Sequence, residues 1–323
     1  MPVSRSARSE DTRKGALVSS TKDFRFGFSG NAFDIDGLVD DAVRAERAGF
    51  DVFQIIDFAT ALSPMVALAA VARATSKIRL SPFVLNTALW NPATVCRDLA
   101  TLDRISNGRL EVALGSGISL PDTRGLMPQT RDERFGRLRE TVAAIKETVS
   151  EPGITPGFVE RPRLAVAGTV DRVLRLAAEE ADTFLIASVP PVPKVEGLEP
   201  YEVIPEREAT AAYLDRLRDY AGERAEVLEI GTSAPVILTD DTDAALAELA
   251  ATHTNLSPQQ IFESPKMLVG SLEEVVDQII SRRADLGITY QSLRTSTPEE
   301  AAPVIEAVRA RSTAQAAGSV VTR

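Results

Sequence analysis

Apolar and polar positions in this chain follow two periods that take turns. A short apolar run comes first, then a stretch whose apolar positions lie three and four apart, and the pair recurs. That is the signature of strand followed by amphipathic helix. Phe24–Phe28 reads as the first strand. The helix after it carries Leu38, Ala42 and Ala45 on one face, with Asp36 as the expected N-cap and Gly49 as the stop. Val52–Ile56 is the second strand, and Ser63-Pro64 opens the next helix. Ile78–Leu85 is the third strand, followed by a helix opened at Asn91-Pro92 with Val95, Leu99 and Leu102 on one face. A turn at Asn107-Gly108-Arg109 leads into Leu110–Leu114, which stops at Gly115-Ser116-Gly117.

The second half repeats the alternation. Arg131–Val149 has the clearest helical period, through Phe135, Leu138, Val142, Ile145 and Val149. Leu164–Ala167 and Phe184–Ala187 read as strands around a helix bearing Val170, Val173, Leu174 and Ala177. Val189–Pro205 is proline-rich and reads as a long loop. A helix near Arg207–Tyr220 precedes the strand-like run Val227–Leu238. Ser271…Glu274 and Thr297…Glu300 have capping-box spacing and each starts a helix, with Ile288–Leu293 as the last strand between them.

About eight strand–helix units result. They predict an α/β fold, a (β/α)8 TIM barrel, with an open doubly wound sheet as the rival. In either fold the chemistry lies at the carboxyl ends of the strands. One barrel domain over residues 23–313 is expected, after a polar, disordered tail at 1–22 and before a short C-terminal tail at 314–323.

Composition narrows the function. The chain has 323 residues, 44% of them hydrophobic, enough for a sizeable core. The net charge of −10 argues against nucleic acid and anionic membranes as partners. No apolar run has the length of a membrane span or signal peptide, and Cys96 is the sole cysteine, so a cytoplasmic protein is expected. Cys96 reads as a packed thiol and His253, the sole histidine, as a surface residue. With so few ligands no transition-metal site is expected. The run Thr239–Asp243 reads as helix capping, since calcium-loop spacing is absent.

Several segments, taken in order, resemble one family. They are Leu38-Val-Asp-Asp-Ala-Val-Arg-Ala-Glu-Arg-Ala-Gly-Phe-Asp51, Asn91-Pro-Ala, Leu99-Ala-Thr-Leu-Asp-Arg-Ile-Ser-Asn-Gly-Arg-Leu110, Gly115-Ser-Gly117 and Arg134-Phe-Gly-Arg-Leu-Arg-Glu140. Together they resemble the luciferase-like monooxygenase superfamily. Ser264-Pro-Lys-Met-Leu-Val-Gly270, Glu273-Glu-Val-Val276 and Leu286-Gly-Ile-Thr-Tyr290 are similar to its coenzyme F420-dependent branch. The resemblance implies a (β/α)8 barrel, coenzyme F420 or alternatively FMN at the strand ends, a small-molecule or peptide substrate, and a homodimer. It also exposes departures. Where the family often has a catalytic histidine stands Phe58, and where sugar-phosphate dehydrogenases of the branch carry a glutamate stands Ile118. The phosphate turn is reduced to Gly168-Thr169, and the segment between Val149 and Leu164 is short.

The resemblance and the strand-end positions together mark candidate residues. Gly115, Ser116 and Gly117 would let a ring or phosphate approach; a plain tight turn would use the same glycines. Gly168 and Thr169 precede a helix whose amides could hold a phosphate, or form an empty turn. Asn86 could bond a flavin carbonyl or cap its loop. Asp57 could face the pocket as a cofactor-binding residue or cap a turn. Phe58, Trp90 and Ile118 would wall the substrate pocket. Three functions remain open: an F420-dependent oxidoreductase passing hydride to an electron-poor C=C or C=N carbon, an FMN-dependent monooxygenase, and a degenerate barrel serving as a non-catalytic subunit.

Overall fold

A computed structural model describes residues 22–117, 125–126, 130–150, 157–187, 204–252 and 256–320. Ile118, His253, residues 1–21 of the expected tail and most of the proline-rich loop lie outside the described residues.

Strands and helices alternate as the periods require. The chain runs β1 (Arg25–Ser29), α1 (Ile35–Arg47), β2 (Val52–Ile55), α2 (Pro64–Ala74), β3 (Arg79–Pro82), β4 (Leu85–Asn86), α3 (Pro92–Ser106) and β5 (Glu111–Gly115). It continues through α4 (Arg131–Ser150), β6 (Arg163–Gly168), α5 (Asp171–Glu180), β7 (Thr183–Ile186), α6 (Arg207–Ala221) and β8 (Glu229–Leu238). The last elements are α7 (Thr242–Thr252), α8 (Pro258–Glu263), β9 (Leu268–Gly270), α9 (Leu272–Leu286), β10 (Ile288–Arg294) and α10 (Pro298–Val320).

Local chemistry sets several boundaries. Asn91 caps α3, its Oδ1 accepting from Ala93 N at 3.0 Å and Thr94 N at 3.3 Å, with Pro92 in the first turn. Ser271 and Glu274 form the capping box of α9. Asp241 accepts from Ala244 N at 3.0 Å at the start of α7, the capping role expected of the acidic run. The cap of α1 is a correction: Asp34 occupies the N-cap position and Asp36 sits in the first turn. At the last helix Thr297 and Glu300 meet side chain to side chain, at 3.2 Å. α10 runs to Val320, past the expected barrel end at residue 313. Lys22, expected in the tail, already donates to Leu228 O at 2.9 Å.

All named strand pairs are parallel, in the order β3-β2-β1-β10-β8-β7-β6-β5-β4. The path closes because β3 and β4 are two halves of one interrupted strand. β3 pairs with β2, β4 pairs with β5, and a bridge between Leu80 and Leu110 joins the first half to the β5 side. Counting that strand once gives the expected (β/α)8 barrel and rules out the open sheet. The sequence pattern suggested an unbroken Ile78–Leu85; the chain breaks at the cis peptide bond between Phe83 and Val84.

The barrel interior is packed in layers, as such barrels require. At the amino ends Arg25 bridges Glu111 and Glu229, the latter at 2.9 Å. Arg163 reaches Glu229 at 3.1 Å, and Arg79 reaches Glu111 at 2.7 Å. Above them Val52, Ala113, Leu185 and Tyr290 form an apolar cluster separate from the large helix–sheet core. Tyr290 fills the lumen because its neighbours are glycines. A Cβ on Gly27 would lie 2.9 Å from the Tyr290 hydroxyl, and one on Gly231 2.8 Å from its Cδ1. Higher still, Gln54 donates to the Tyr290 hydroxyl at 2.5 Å and accepts from Ser29 at 3.1 Å and Ser292 at 2.6 Å.

One addition escaped the periodic reading. Past the barrel rim Val236–Leu238 of β8 pairs with β9, and α7 and α8 cover the pair. Ile204, Leu246, Leu256, Ile261, Met267 and Val269 give this unit its own small core. Its signal was present in Ser257 and Gln260, which form a capping box around Pro258.

Candidate active site at the carboxyl ends of the strands

Asp57 follows β2 and is 8 % exposed. Its Oδ2 accepts from Trp90 Nε1 at 2.7 Å and from Asn86 N at 2.9 Å. Burial pushes the proton affinity of this carboxyl above the ordinary aspartate value, and the two donors pull it only part of the way back. Trp90 is steadied by Arg137, whose Nη1 donates to the Trp90 carbonyl at 3.1 Å. Phe58, next along the loop, is 45 % exposed.

Asn86 ends β4 and turns inward on the protein. Its Oδ1 accepts from Ala88 N at 3.2 Å, which caps the turn Thr87–Leu89. Gly117 lies against it: φ is +77°, and a Cβ there would sit 2.0 Å from Asn86 Oδ1. Gly115 packs on Val84, 2.9 Å from where its Cβ would be, and its carbonyl accepts from Thr87 Oγ1 at 2.9 Å. These two glycines therefore have packing reasons of their own. Ser116 between them is half-buried.

Asp57, Asn86, Trp90, Gly115 and Gly117 thus form one contiguous group at the ends of β2, β4 and β5. Gly168 and Thr169 sit one strand further round, at the end of β6. A Cβ on Gly168 would be 2.5 Å from Val173 Cγ1, so close helix–strand packing already calls for glycine there. α5 starts after Val170, which supplies no side-chain cap. Asp171 in its first turn is engaged by the Tyr220 hydroxyl at 2.5 Å and Arg175 Nε at 3.1 Å.

A flavin-like cofactor needs a flat slot for its ring and backbone donors for its phosphate. The residues present fit that need. Among the described residues, the end of β5 carries Gly115, Ser116 and Gly117 and that of β6 Gly168 and Thr169, and the N-cap residue of α5, Val170, makes no side-chain cap to its amides. Phe58, in the loop after β2, adds an exposed aromatic face at the same end of the barrel.

A second feature of this face was not legible in the sequence. A cavity of about 190 Å³ between β8, the β10 end and the added unit is lined by Lys266, Arg294, Met267, Ile237 and Leu249. Lys266 is 5 % exposed and its Nζ donates to Ile186 O at 3.4 Å, at the end of β7. Residues 266 and 294 meet only because β9 folds back beside β8. Another cavity, of about 290 Å³, lies at the opposite end and is lined by Thr75, Ser106 and Arg109. There Arg109 caps two helix carboxyl ends, donating to Ala72 O at 2.7 Å and Ser106 O at 2.7 Å.

Residues 12–266 match the model of a family described as luciferase-like monooxygenase. The chain belongs to the luciferase-like monooxygenase family. Among relatives, the F420-dependent glucose-6-phosphate dehydrogenase of Kineococcus radiotolerans (strain ATCC BAA-149 / DSM 14245 / SRS30216) is 40% identical over 129 residues, 36% of this chain and 38% of that protein. The FMNH(2)-dependent dimethylsulfone monooxygenase of Pseudomonas fluorescens (strain Pf0-1) is 24% identical over 208 residues, 59% of this chain and 52% of that protein. The chain thus spans between about 38% and 52% of the length of these curated relatives. Among solved structures, an F420-dependent secondary alcohol dehydrogenase in complex with an F420-acetone adduct has a TM-score of 0.68 at 18% identity, covering 89% of this chain and 100% of that one. This likeness supports the barrel fold. No described helix is long and apolar enough to cross a membrane.

Proposed function

We propose that this luciferase-like protein is a coenzyme F420-dependent oxidoreductase that moves hydride between the reduced deazaflavin and an electron-poor C=C or C=N carbon of a small molecule. The observation that carries this reading is the row of small strand ends beside an uncapped α5 terminus, in a chain whose relatives include F420-dependent dehydrogenases. When bound, the deazaflavin supplies the hydride chemistry; the chain supplies binding, orientation and exclusion of water.

Gly115, Ser116, Gly117 and Asn86 would flank the ring, and Gly168 with Thr169 would hold the phosphate at the α5 terminus. Phe58 and Trp90 would wall the substrate side. The cavity with Lys266 and Arg294 suits a polar or anionic substituent of the substrate. The protein would work in the cytoplasm as a homodimer, a state that sedimentation tests.

One observation favours FMN instead. The match to the FMNH(2)-dependent relative spans 59% of the chain, against 36% to 51% for F420-dependent glucose-6-phosphate dehydrogenases. A fluorescence titration with coenzyme F420 and with FMN separates the two. Tight binding of F420 and weak binding of FMN supports the proposal, and the reverse order replaces it with the monooxygenase. Binding of neither at tens of micromolar leaves the degenerate barrel, in keeping with Phe58 at the histidine position.

A further inference from the structure

Among the described residues, three buried carboxyl groups belong to the barrel strands or strand ends, and one differs in kind. Glu111 and Glu229 sit at the amino ends in contact with arginines. Asp57 sits at the carboxyl ends and takes its bonds from neutral donors, the Trp90 indole and the Asn86 amide. Both donors converge on Oδ2. A proton on this carboxyl therefore belongs on Oδ1, the oxygen that neither donor occupies.

Charged groups on the elements around it do not change that picture. On α4, which packs against the Thr87–Leu89 turn, are Arg134 and Arg137, and Arg137 is paired with Glu140 at 3.5 Å. The neighbouring loop before α1, tied to the Asp57 loop by Leu62 N to Ala32 O at 2.9 Å, carries Asp34. The first turns of α2 and α3 hold no acidic residue. Desolvation and the two neutral donors alone set the direction in which this carboxyl is displaced, upward.

We propose that Asp57 is the proton-transfer group of the pocket, doing the work that Phe58 and Ile118 cannot, with Trp90 as the residue that positions it. The proposal rests on the oxidoreductase reading above. Hydride addition to an electron-poor C=C or C=N bond leaves the electron pair on the far atom. The Asp57 Oδ1–H bond breaks, that proton bonds to the electron-rich atom, and the carboxylate left behind is stabilised by Trp90 Nε1–H and Asn86 N–H. When bound, the reduced deazaflavin would supply the hydride, and Asp57 would regain its proton from water. In the reverse direction the carboxylate is the base.

Trp90 makes this testable without any cofactor, because it is the sole tryptophan in the chain. Its indole N–H bonds the carboxyl, so its fluorescence reads the protonation state. In the ligand-free protein, Trp90 emission should titrate with a midpoint above about 4, the ordinary aspartate value. Asp57→Asn should abolish that transition, with circular dichroism confirming an unchanged fold. A wild-type protein with no transition between pH 4 and 8, or a transition retained in Asp57→Asn, overturns the proposal, and the wild-type titration alone can do so. In turnover, Asp57→Asn should lower the rate by roughly 10²–10⁴-fold while coenzyme affinity stays within about threefold. Trp90→Phe removes one donor to the carboxylate and should move the pH–rate limb upward, a shift that a purely structural role would not produce. If neither coenzyme binds, the oxidoreductase reading fails, and the titration still decides whether Asp57 holds its proton. If the coenzyme binds and Asp57→Asn turns over at the wild-type rate, the proton comes from elsewhere and the assignment to Asp57 is wrong.

Discussion

The two ends of the barrel treat buried carboxyl groups in opposite ways. At the amino ends Glu111 and Glu229 face Arg25, Arg79 and Arg163, and Thr183 adds a hydrogen bond to Glu229 at 2.8 Å. Both carboxyl groups are ion-paired, and the cluster closes the bottom of the lumen. At the carboxyl ends Asp57 has hydrogen-bond donors but no cation among the contacts that shift it. The same residue class serves as a structural plug where arginine surrounds it and as a group with a movable proton where it does not. The difference lies in the neighbours, which is what separates structural from functional carboxyl groups in general.

Breaking the amino-end plug should have the largest effect. Arg25→Met leaves Glu111 and Glu229 short of a counter-charge and should cost about 3 kcal/mol of stability by urea unfolding. Coenzyme affinity should not change, because the plug lies at the other end. A loss of affinity with intact stability would mean that the two ends are coupled.

The phosphate terminus comes next. Gly168→Val is a poor probe, since its side chain would enter the space of Val173, with the Cβ alone at 2.5 Å. Thr169→Asp adds negative charge beside the uncapped amides without touching that packing. It should weaken coenzyme binding at least tenfold, about 1.4 kcal/mol. An unchanged fluorescence titration would place the phosphate elsewhere.

Asp57 gives a stability prediction whose sign is opposite to that of a paired carboxylate. Its folded proton affinity lies above the unfolded value of about 3.9. The folded state therefore binds more protons between the two values, and stability falls as pH rises through that window. Asp57→Asn should flatten this slope in thermal melts from pH 4 to 7. A slope of the same size in the variant would locate the titrating group elsewhere.

The smallest effect contrasts with it. Burial alone would raise the Glu46 carboxyl, but the amides of Ile78, Lys77 and Ser76 and the Ser76 hydroxyl bring it below the ordinary value. Its stabilisation is present above the unfolded value near 4.3 and is lost as pH falls through the folded one. Glu46→Gln should destabilise the protein modestly at pH 7 and not at all near pH 2. Equal destabilisation at both would show that the hydrogen bonds, and not the charge, are what count.

Much of the fold was legible because strand and helix periods are local. Leu38, Ala42 and Ala45 were one face in the sequence and are all buried. Asn91-Pro92 and Ser271…Glu274 marked helix starts by chemistry confined to one turn. The break inside Ile78–Leu85 was not legible, because apolar spacing continues across it. The short β9 was missed because it has too few residues to show a period.

The sequence by itself determined the order of the elements, the barrel class, the family and the strand ends at which a site would form. It could name Asp57, Asn86, Trp90, Gly117 and Gly168 as residues at those ends. Only the tertiary structure decided what each one touches. Asp57 meets Trp90 across 33 positions of the chain, Gly117 meets Asn86 across a strand pair, and Lys266 approaches Ile186 across 80 positions. Periodicity reports which way a side chain faces within its own element. Closure of the barrel sets which elements become neighbours, and so decides whether a buried carboxyl meets an arginine or an indole.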